Sequence, residues 1–223
     1  MSYKSILNVV VVAVVVMSVM FVGCGGKKET KQEKTANNKT AQEKSKVVKT
    51  VKTFTDKRGG KKYKTIKIGT AVWMAENLNY AAKGSVCYEN KDANCAKYGR
   101  LYNWETALNA CPAGFHFPSD KEWTELTDAV GGWSTAGTKL KSAAGWKENG
   151  NGTNDYGWSA LPGGLGSSGG SFSDAGIHGF WWSATERSAT YAGVRIMRYS
   201  NEDVIGFYER KNTLLSVRCV QDN

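Results

Sequence analysis

The chain has 223 residues, enough for one domain with appendages or at most two small domains. Its 25 Gly and 3 Pro, beside 8 Trp and 10 Tyr, predict an irregular, loop-rich globular body and argue against a helical bundle. The formal charge of +10 invites a nucleic-acid partner, but residues 27–67 alone carry +11 and residues 68–223 carry −2, so a basic nucleic-acid-binding face on the folded part is excluded as the expectation.

The first 24 residues follow the order of an export signal. Lys4 gives a positive start, and Ile6 to Val22 is apolar apart from Asn8 and Ser18. That run is slightly short for a comfortable membrane span. Small residues then precede a cysteine, in Phe21, Val22, Gly23 and Cys24. This ending resembles the bacterial lipobox, in which the leader is cut before the cysteine and the cysteine is acylated. Residues 1–23 are thus expected to be a lipoprotein signal peptide and Cys24 the lipidation site. Gly25 is not the Asp that signals inner-membrane retention in some bacteria, so the expected address is the outer membrane or cell surface, with the membrane as partner through the lipid. An uncleaved N-terminal anchor is the alternative. Two or three acyl chains hold a protein where one holds only marginally, at about 0.8 kcal/mol per buried methylene.

Residues 24–52 are read as a Lys-rich tether. They contain no aromatic residue, and their larger apolar side chains are confined to Val47, Val48 and Val51. Such a stretch cannot bury enough surface to offset its ordering entropy. A flexible chain of this length would span at most about 90–100 Å and on average about 30 Å.

From Thr53 the composition becomes that of a folded domain, assigned to residues 53–223. Tyr63–Gly69 and Ala71–Met74 read as strands, with a turn at Asp56–Lys62 before them. Arg100–Ala110 places Leu101, Trp104, Ala107 and Leu108 on one helical face, and Cys111-Pro112 ends it. Ser119 and Glu122 have the spacing of a capping box, with Trp123, Leu126 and Val130 following at helical intervals, so residues 119–130 are expected to be helical and Trp123 to be core. Beyond Gly131-Gly132 the chain reads as irregular, with ten glycines between residues 145 and 176. Gly179–Thr185, Tyr191–Tyr199 and Ser216–Val220 read as strands.

Five cysteines leave an even four in the domain once Cys24 is set aside. In an exported protein four cysteines suggest two disulfides, with three connectivities open. Cys87–Cys95 would clip a short polar loop, and Cys111–Cys219 would tie the start of one segment to the final strand; this pairing is favoured over the other two and over free thiols. No CxxC or paired-His spacing supports a zinc site.

Several runs, taken together, resemble the Fibrobacter succinogenes major paralogous domain. They are Val72–Leu78 (VWMAENL), Gly99–Trp104 (GRLYNW), Cys111–Asp120 (CPAGFHFPSD), Glu122-Trp123, Asp155–Gly164 (DYGWSALPGG), Trp181–Glu186 (WWSATE) and Ser216–Val220 (SVRCV). They occur in order over about residues 54–221. The domain is also similar to the superfamily of C-type-lectin-like folds and formylglycine-generating enzymes. The resemblance implies an α+β, C-type-lectin-like fold with two helices, paired terminal strands, small antiparallel sheets and a long Gly-rich loop region. It implies much less about activity, because function belongs to the site and not to the fold.

The expected function is ligand binding without catalysis, the partner being a glycan or an envelope protein. Candidate contacts are Asn154, Asp155, Trp158, Trp182, Glu186 and Arg195, since exposed aromatics stack on sugar rings and amide or carboxylate oxygens accept from hydroxyls. Each has a structural counter-reading: Trp181 or Trp182 faces inward on a strand, Asp155 shapes a turn, and Glu186 pairs with Arg187 or Arg195. A structural or adhesive role in the cell envelope is the second reading. A carbohydrate-active or oxidative enzyme is the third, and the sequence argues against it. His116 and His178 have no nucleophile motif near them, Cys219 has no partner cysteine close in sequence, and no Gly-x-Ser-x-Gly occurs. No cofactor is expected. Asn151, Asn154 and Asp155 are too few for calcium, which takes six to eight oxygens, and the Glu-Pro-Asn, Gln-Pro-Asp and Trp-Asn-Asp motifs of sugar-binding C-type lectins are absent, so no metal is expected either.

Overall fold

The computed structural model describes residues 50–223. The expected signal peptide, the lipidation site at Cys24 and residues 24–49 of the expected tether lie outside the described residues. The domain opens earlier than the composition suggests. Strand β1 (Val51–Thr55) takes in the last two residues read as tether and pairs antiparallel with β2 (Lys62–Ile68). The turn between them is held by Asp56, whose buried carboxylate accepts from the Arg58 guanidinium at 2.8 and 3.0 Å. Strand β3 (Ala71–Met74) completes the hairpin series.

Where a surface turn was expected after Cys87, the chain forms helix α1 (Asp92–Tyr98), which buries Cys95 and Tyr98 and ends at Gly99 with φ of 79°. A side chain at Gly99 would press on Asn77 Cβ and the Leu78 carbonyl, each at 2.8 Å. The single helix expected over residues 100–110 is divided. Leu101-Tyr102 is strand β4, and only Trp104–Leu108 is helical, as α2. Two causes combine. Leu101 and Tyr102 find a strand partner far along the chain, and the Asn103 side chain accepts from Thr106 N, starting the helix four residues late. Strand β5 (Phe115–His116) follows, then α3 (Asp120–Ala129) with the expected capping box at Ser119 and Glu122. Helix α4 (Trp133–Leu140) stands where an irregular segment was expected. Gly131 and Gly132, at φ of 105° and 95°, turn the chain into it, and Gly137 lets it press on the backbone of Glu202 and Asp203.

The Gly-rich region contains a small ribbon, β6 (Gly163–Gly166) against β7 (Phe172–Ala175). Strands β8 (His178–Glu186) and β9 (Tyr191–Arg198) match expectation, and β10 (Ile205–Arg210) is an additional edge strand. The expected last strand is split: β11 (Leu215–Ser216) belongs to one sheet and β12 (Val220–Gln221) to the other. One sheet has the order β1-β2-β3-β12-β5, and the other has β10-β9-β8-β11-β4 with β6 also paired to β8. Residues 215–221 therefore stitch the two sheets together, and Met74 N and Leu78 N donate to Cys219 and Val217 along that crossing. The fold is α+β.

Strand β8 is buried on both faces. Trp182 points into a core with Tyr102, Trp104 and Val194, while Trp181 points into a second core with Trp73, Trp123 and Trp158. The expectation that only one of the pair would face inward is corrected, because α3 and the Gly-rich region cover the face that a two-layer arrangement would leave open. Trp123 is fully buried, as expected. Both favoured disulfides are present, Cys87–Cys95 and Cys111–Cys219.

Candidate functional site

A concavity of about 510 Å³ opens among the described residues. Its walls come from separate parts of the chain: Lys61 just before β2 and Lys64 in it, Glu76, Asn77 and Asn79 after β3, Cys95 to Gly99 at the end of α1, and Gly157, Ser159 and Leu161 from the Gly-rich region. The size suits a small ligand, and the charged and amide side chains set among its apolar walls suit a hydroxylated or charged one.

The floor is rigid because its polar groups are engaged. Asn77 Nδ2 donates to Tyr98 O at 2.8 Å and to Ser216 Oγ at 3.3 Å. Its Oδ1 accepts from Trp181 Nε1 at 2.8 Å and from Arg218 Nε and Nη2 at 3.2 and 2.7 Å. Arg218 lies beneath, fully buried, and also donates to the Trp158 and Ser159 carbonyls. Its guanidinium stacks 3.6 Å from the Trp158 ring centroid. Burial, only partly opposed by the negative charge of Glu76, pushes the Arg218 guanidinium down to about 9. It remains a cation at neutral pH. The loop wall is held by Asn154, whose side chain donates to Ser159 Oγ and accepts from Ser159 N, both at 2.9 Å.

The rim is different. Lys64 and Lys97 make no ion pair among the described residues, and Lys97 Nζ sits 4.6 Å from the Tyr98 ring centroid. Lys61 reaches Glu76 only at 3.9 Å, with both side chains well exposed.

Residues 66–221 match the sequence profile of the Fibrobacter succinogenes major domain. The chain belongs to that family. No curated protein and no solved structure gives a significant match.

In this Fibrobacter succinogenes major domain none of the six expected contact residues lines the pocket. Two are corrected outright. Trp158 and Trp182 are 0% exposed, so neither ring can stack on a ligand. Trp158 is the lid of Arg218 and a member of the tryptophan cluster, with ring centroids 5.5 to 6.1 Å from Trp181, Trp123 and Trp73. Trp182 donates through Nε1 to Tyr102 O at 2.8 Å. Asn154 shapes the pocket loop from behind, and Asp155 is exposed with its backbone N–H bonded to Lys139 O at 3.0 Å. Glu186 and Arg195 are held elsewhere. Glu186 pairs with Lys211 at 2.5 Å, not with either expected arginine, and Arg195 Nη1 donates to Asp120 Oδ1 at 2.8 Å. Sequence reasoning named none of Lys61, Lys64, Glu76, Asn79 or Lys97 as a contact: Glu76 falls inside the family run Val72–Leu78 with no role assigned, and the lysines are single charges in unrelated segments.

A second titratable cluster lies on β5 and α3. His116 sits between two carboxylates, Nε2 at 2.5 Å from Glu122 and Nδ1 at 2.7 Å from Asp222. Partial burial lowers its affinity for a proton, but the hydrogen bonds to Glu122 and Asp222 outweigh that and hold the pKa above the usual histidine value. Burial likewise raises Glu122, and its bonds to His116 and Ser119 outweigh it and hold it below the usual carboxylate value. The Ser119 hydroxyl donates to Glu122 and not to the imidazole, so the cluster lacks the hydroxyl-to-histidine bond of an activated nucleophile. It clamps the C-terminal Asp222 to the capping box.

Proposed function

We propose that this protein is an exported lipoprotein, anchored through Cys24 in the outer membrane or at the cell surface, whose lectin-like domain binds a glycan without catalysis. The observation that carries the binding reading is the pocket of about 510 Å³, with its fixed polar floor and its free rim. A saccharide offers many hydroxyls, and Asn79, Ser159, Glu76 and the rim lysines supply both donors and acceptors for them. Pre-organisation favours this use, since a floor whose bonds are already made costs little to order on binding. The lectin-like assignment is supported by the pairing of β12 with both β3 and β5, which brings the chain's end back to its first hairpin, and by the long Gly-rich region on one side of the pocket.

A second reading, an adhesive or structural contact with an envelope protein, is favoured by a different surface. Tyr208 on edge strand β10 is 46% exposed and Trp133 at the start of α4 is 62% exposed. Aromatic residues of this kind are enriched at protein interfaces.

Binding of the full-length protein to an array of glycans tests the first reading against the second. Specific retention of a glycan class supports it, and retention of envelope proteins with no glycan bound reverses the order. The anchor is tested separately. Cys24→Ala is expected to leave an unprocessed or soluble chain, and unchanged membrane partitioning of the mature protein would contradict the lipid anchor.

A further inference from the structure

The charges around the pocket do not balance. Lys61, Lys64 and Lys97 line it against a single carboxylate, Glu76. Beneath the floor Arg218 adds a fourth positive charge, and every acceptor it meets is neutral: Asn77 Oδ1 and the carbonyls of Trp158 and Ser159. A buried cation without a carboxylate partner is costly, and hydrogen bonds to neutral oxygens offset only part of that cost. The fully buried Arg218 projects a positive field upward that water cannot screen from below. Three other cations of the domain are paired with carboxylates. Arg58, Arg195 and Lys211 each meet a carboxylate at 2.8 Å or closer. A buried cation set against neutral oxygens recurs at Lys141, whose Nζ donates to the carbonyls of Arg198 and Asn201, but only at this pocket does one lie under a rim of three lysines.

Resting on the reading of the pocket as the glycan site, we propose that its ligand is an anionic saccharide. The anionic group, a carboxylate or a phosphate, sits among Lys61, Lys64 and Lys97 above the Arg218 floor. The sugar hydroxyls meet Asn79, Ser159 and Glu76. Glu76 has a role in this arrangement, since a single carboxylate among the lysines accepts from hydroxyls and disfavours ligands of high charge density.

The test is calorimetric titration of the full-length protein with three tetrasaccharides of equal length: one of galacturonic acid, one of a phosphorylated hexose, and one of a neutral hexose. The expected result is binding of at least one anionic tetrasaccharide at least tenfold tighter than the neutral one, weakening as salt rises. Whichever of the carboxylate and phosphate ligands binds more tightly identifies the source of the anion. The double variant Lys64→Gln/Lys97→Gln is expected to lose at least fivefold in affinity for the anionic ligand and most of the salt dependence, with the unfolding midpoint unchanged. Equal binding of the neutral tetrasaccharide would overturn the anionic preference and leave the glycan reading standing. Anionic binding untouched by the double variant would place the anion elsewhere and overturn the proposal. No binding by any of the three, together with an empty glycan array, would overturn both.

Discussion

Arg218 and Lys64 are cations of one pocket, yet they are built in opposite ways. Arg218 lies beneath the floor with all of its contacts inside the protein, and Lys64 stands on the rim with no ion pair among the described residues. The floor belongs to the fold: it joins the crossing segment between the two sheets to the tryptophan cluster. The rim makes little contribution to the fold and is free to meet a ligand. Changes to the floor should appear in stability, and changes to the rim should appear in binding alone.

The largest effect is expected at the disulfide beside the floor. Cys111–Cys219 closes a loop of 108 residues and Cys87–Cys95 one of 8. In the chain-entropy account the first stabilises by about 4–5 kcal/mol and the second by about 2–3 kcal/mol. Cys111→Ser/Cys219→Ser should therefore lower the urea midpoint more than Cys87→Ser/Cys95→Ser does. Equal losses would mean that the crossing segment is no more critical than the pocket wall.

Arg218→Met comes next. It keeps much of the side-chain volume but leaves the Trp158 and Ser159 carbonyls buried without a donor. Such groups cost about 1–3 kcal/mol each, and removing a buried charge returns part of that, so a net loss of about 2–4 kcal/mol is expected in urea unfolding. A variant with full stability and abolished binding would place Arg218 on the ligand side of the comparison.

The difference between floor and rim also explains what could be read from the sequence. Local rules were sufficient where the signal is local. The Ser119–Glu122 capping box, the hairpin of β2 and β3, and strands β8 and β9 follow from spacing and alternation. The split of Arg100–Ala110 into β4 and α2 was hidden, because the partner of Leu101 and Tyr102 is Ser216 and Leu215, more than a hundred residues away. Helix α1 was hidden by its polar composition, and β10 by its alternation of half-buried and exposed residues about Gly206. Trp158 suggests a ligand contact because it stands in a Gly-rich stretch that reads as loop, and Trp182 because one of two adjacent strand aromatics is expected to face outward. Burial of β8 on both faces is a tertiary fact that no periodicity carries. The rim is assembled from three segments, so only the fold could show it.

A smaller effect sharpens the comparison at a third place, the His116 clamp. His116 has its pKa raised in the fold, so its contribution is complete below about pH 6.5 and is lost as pH rises through the folded value. Glu122 has its pKa lowered, so its contribution is complete above about pH 4.5 and is lost as pH falls through the folded value. Together they favour stability between those limits. His116→Asn is expected to flatten the decline in urea midpoint from pH 6 to pH 8, with no change in the pocket's affinity at either pH. A pH-dependent affinity that vanished with His116 would link the clamp to the site.

The smallest effect on stability is expected at the rim, and it is the most telling one. In full-length protein, Lys64→Gln/Lys97→Gln and Tyr208→Ala should both leave the unfolding free energy from urea titration within about 0.5 kcal/mol of the parent, as exposed substitutions usually do. Titration of both with the galacturonic acid tetrasaccharide and its phosphorylated counterpart then separates the two surfaces. The account predicts at least a fivefold loss for the lysine variant and none for Tyr208→Ala. Unchanged binding by the lysine variant beside a loss with Tyr208→Ala would contradict it and move the ligand to the β10 edge.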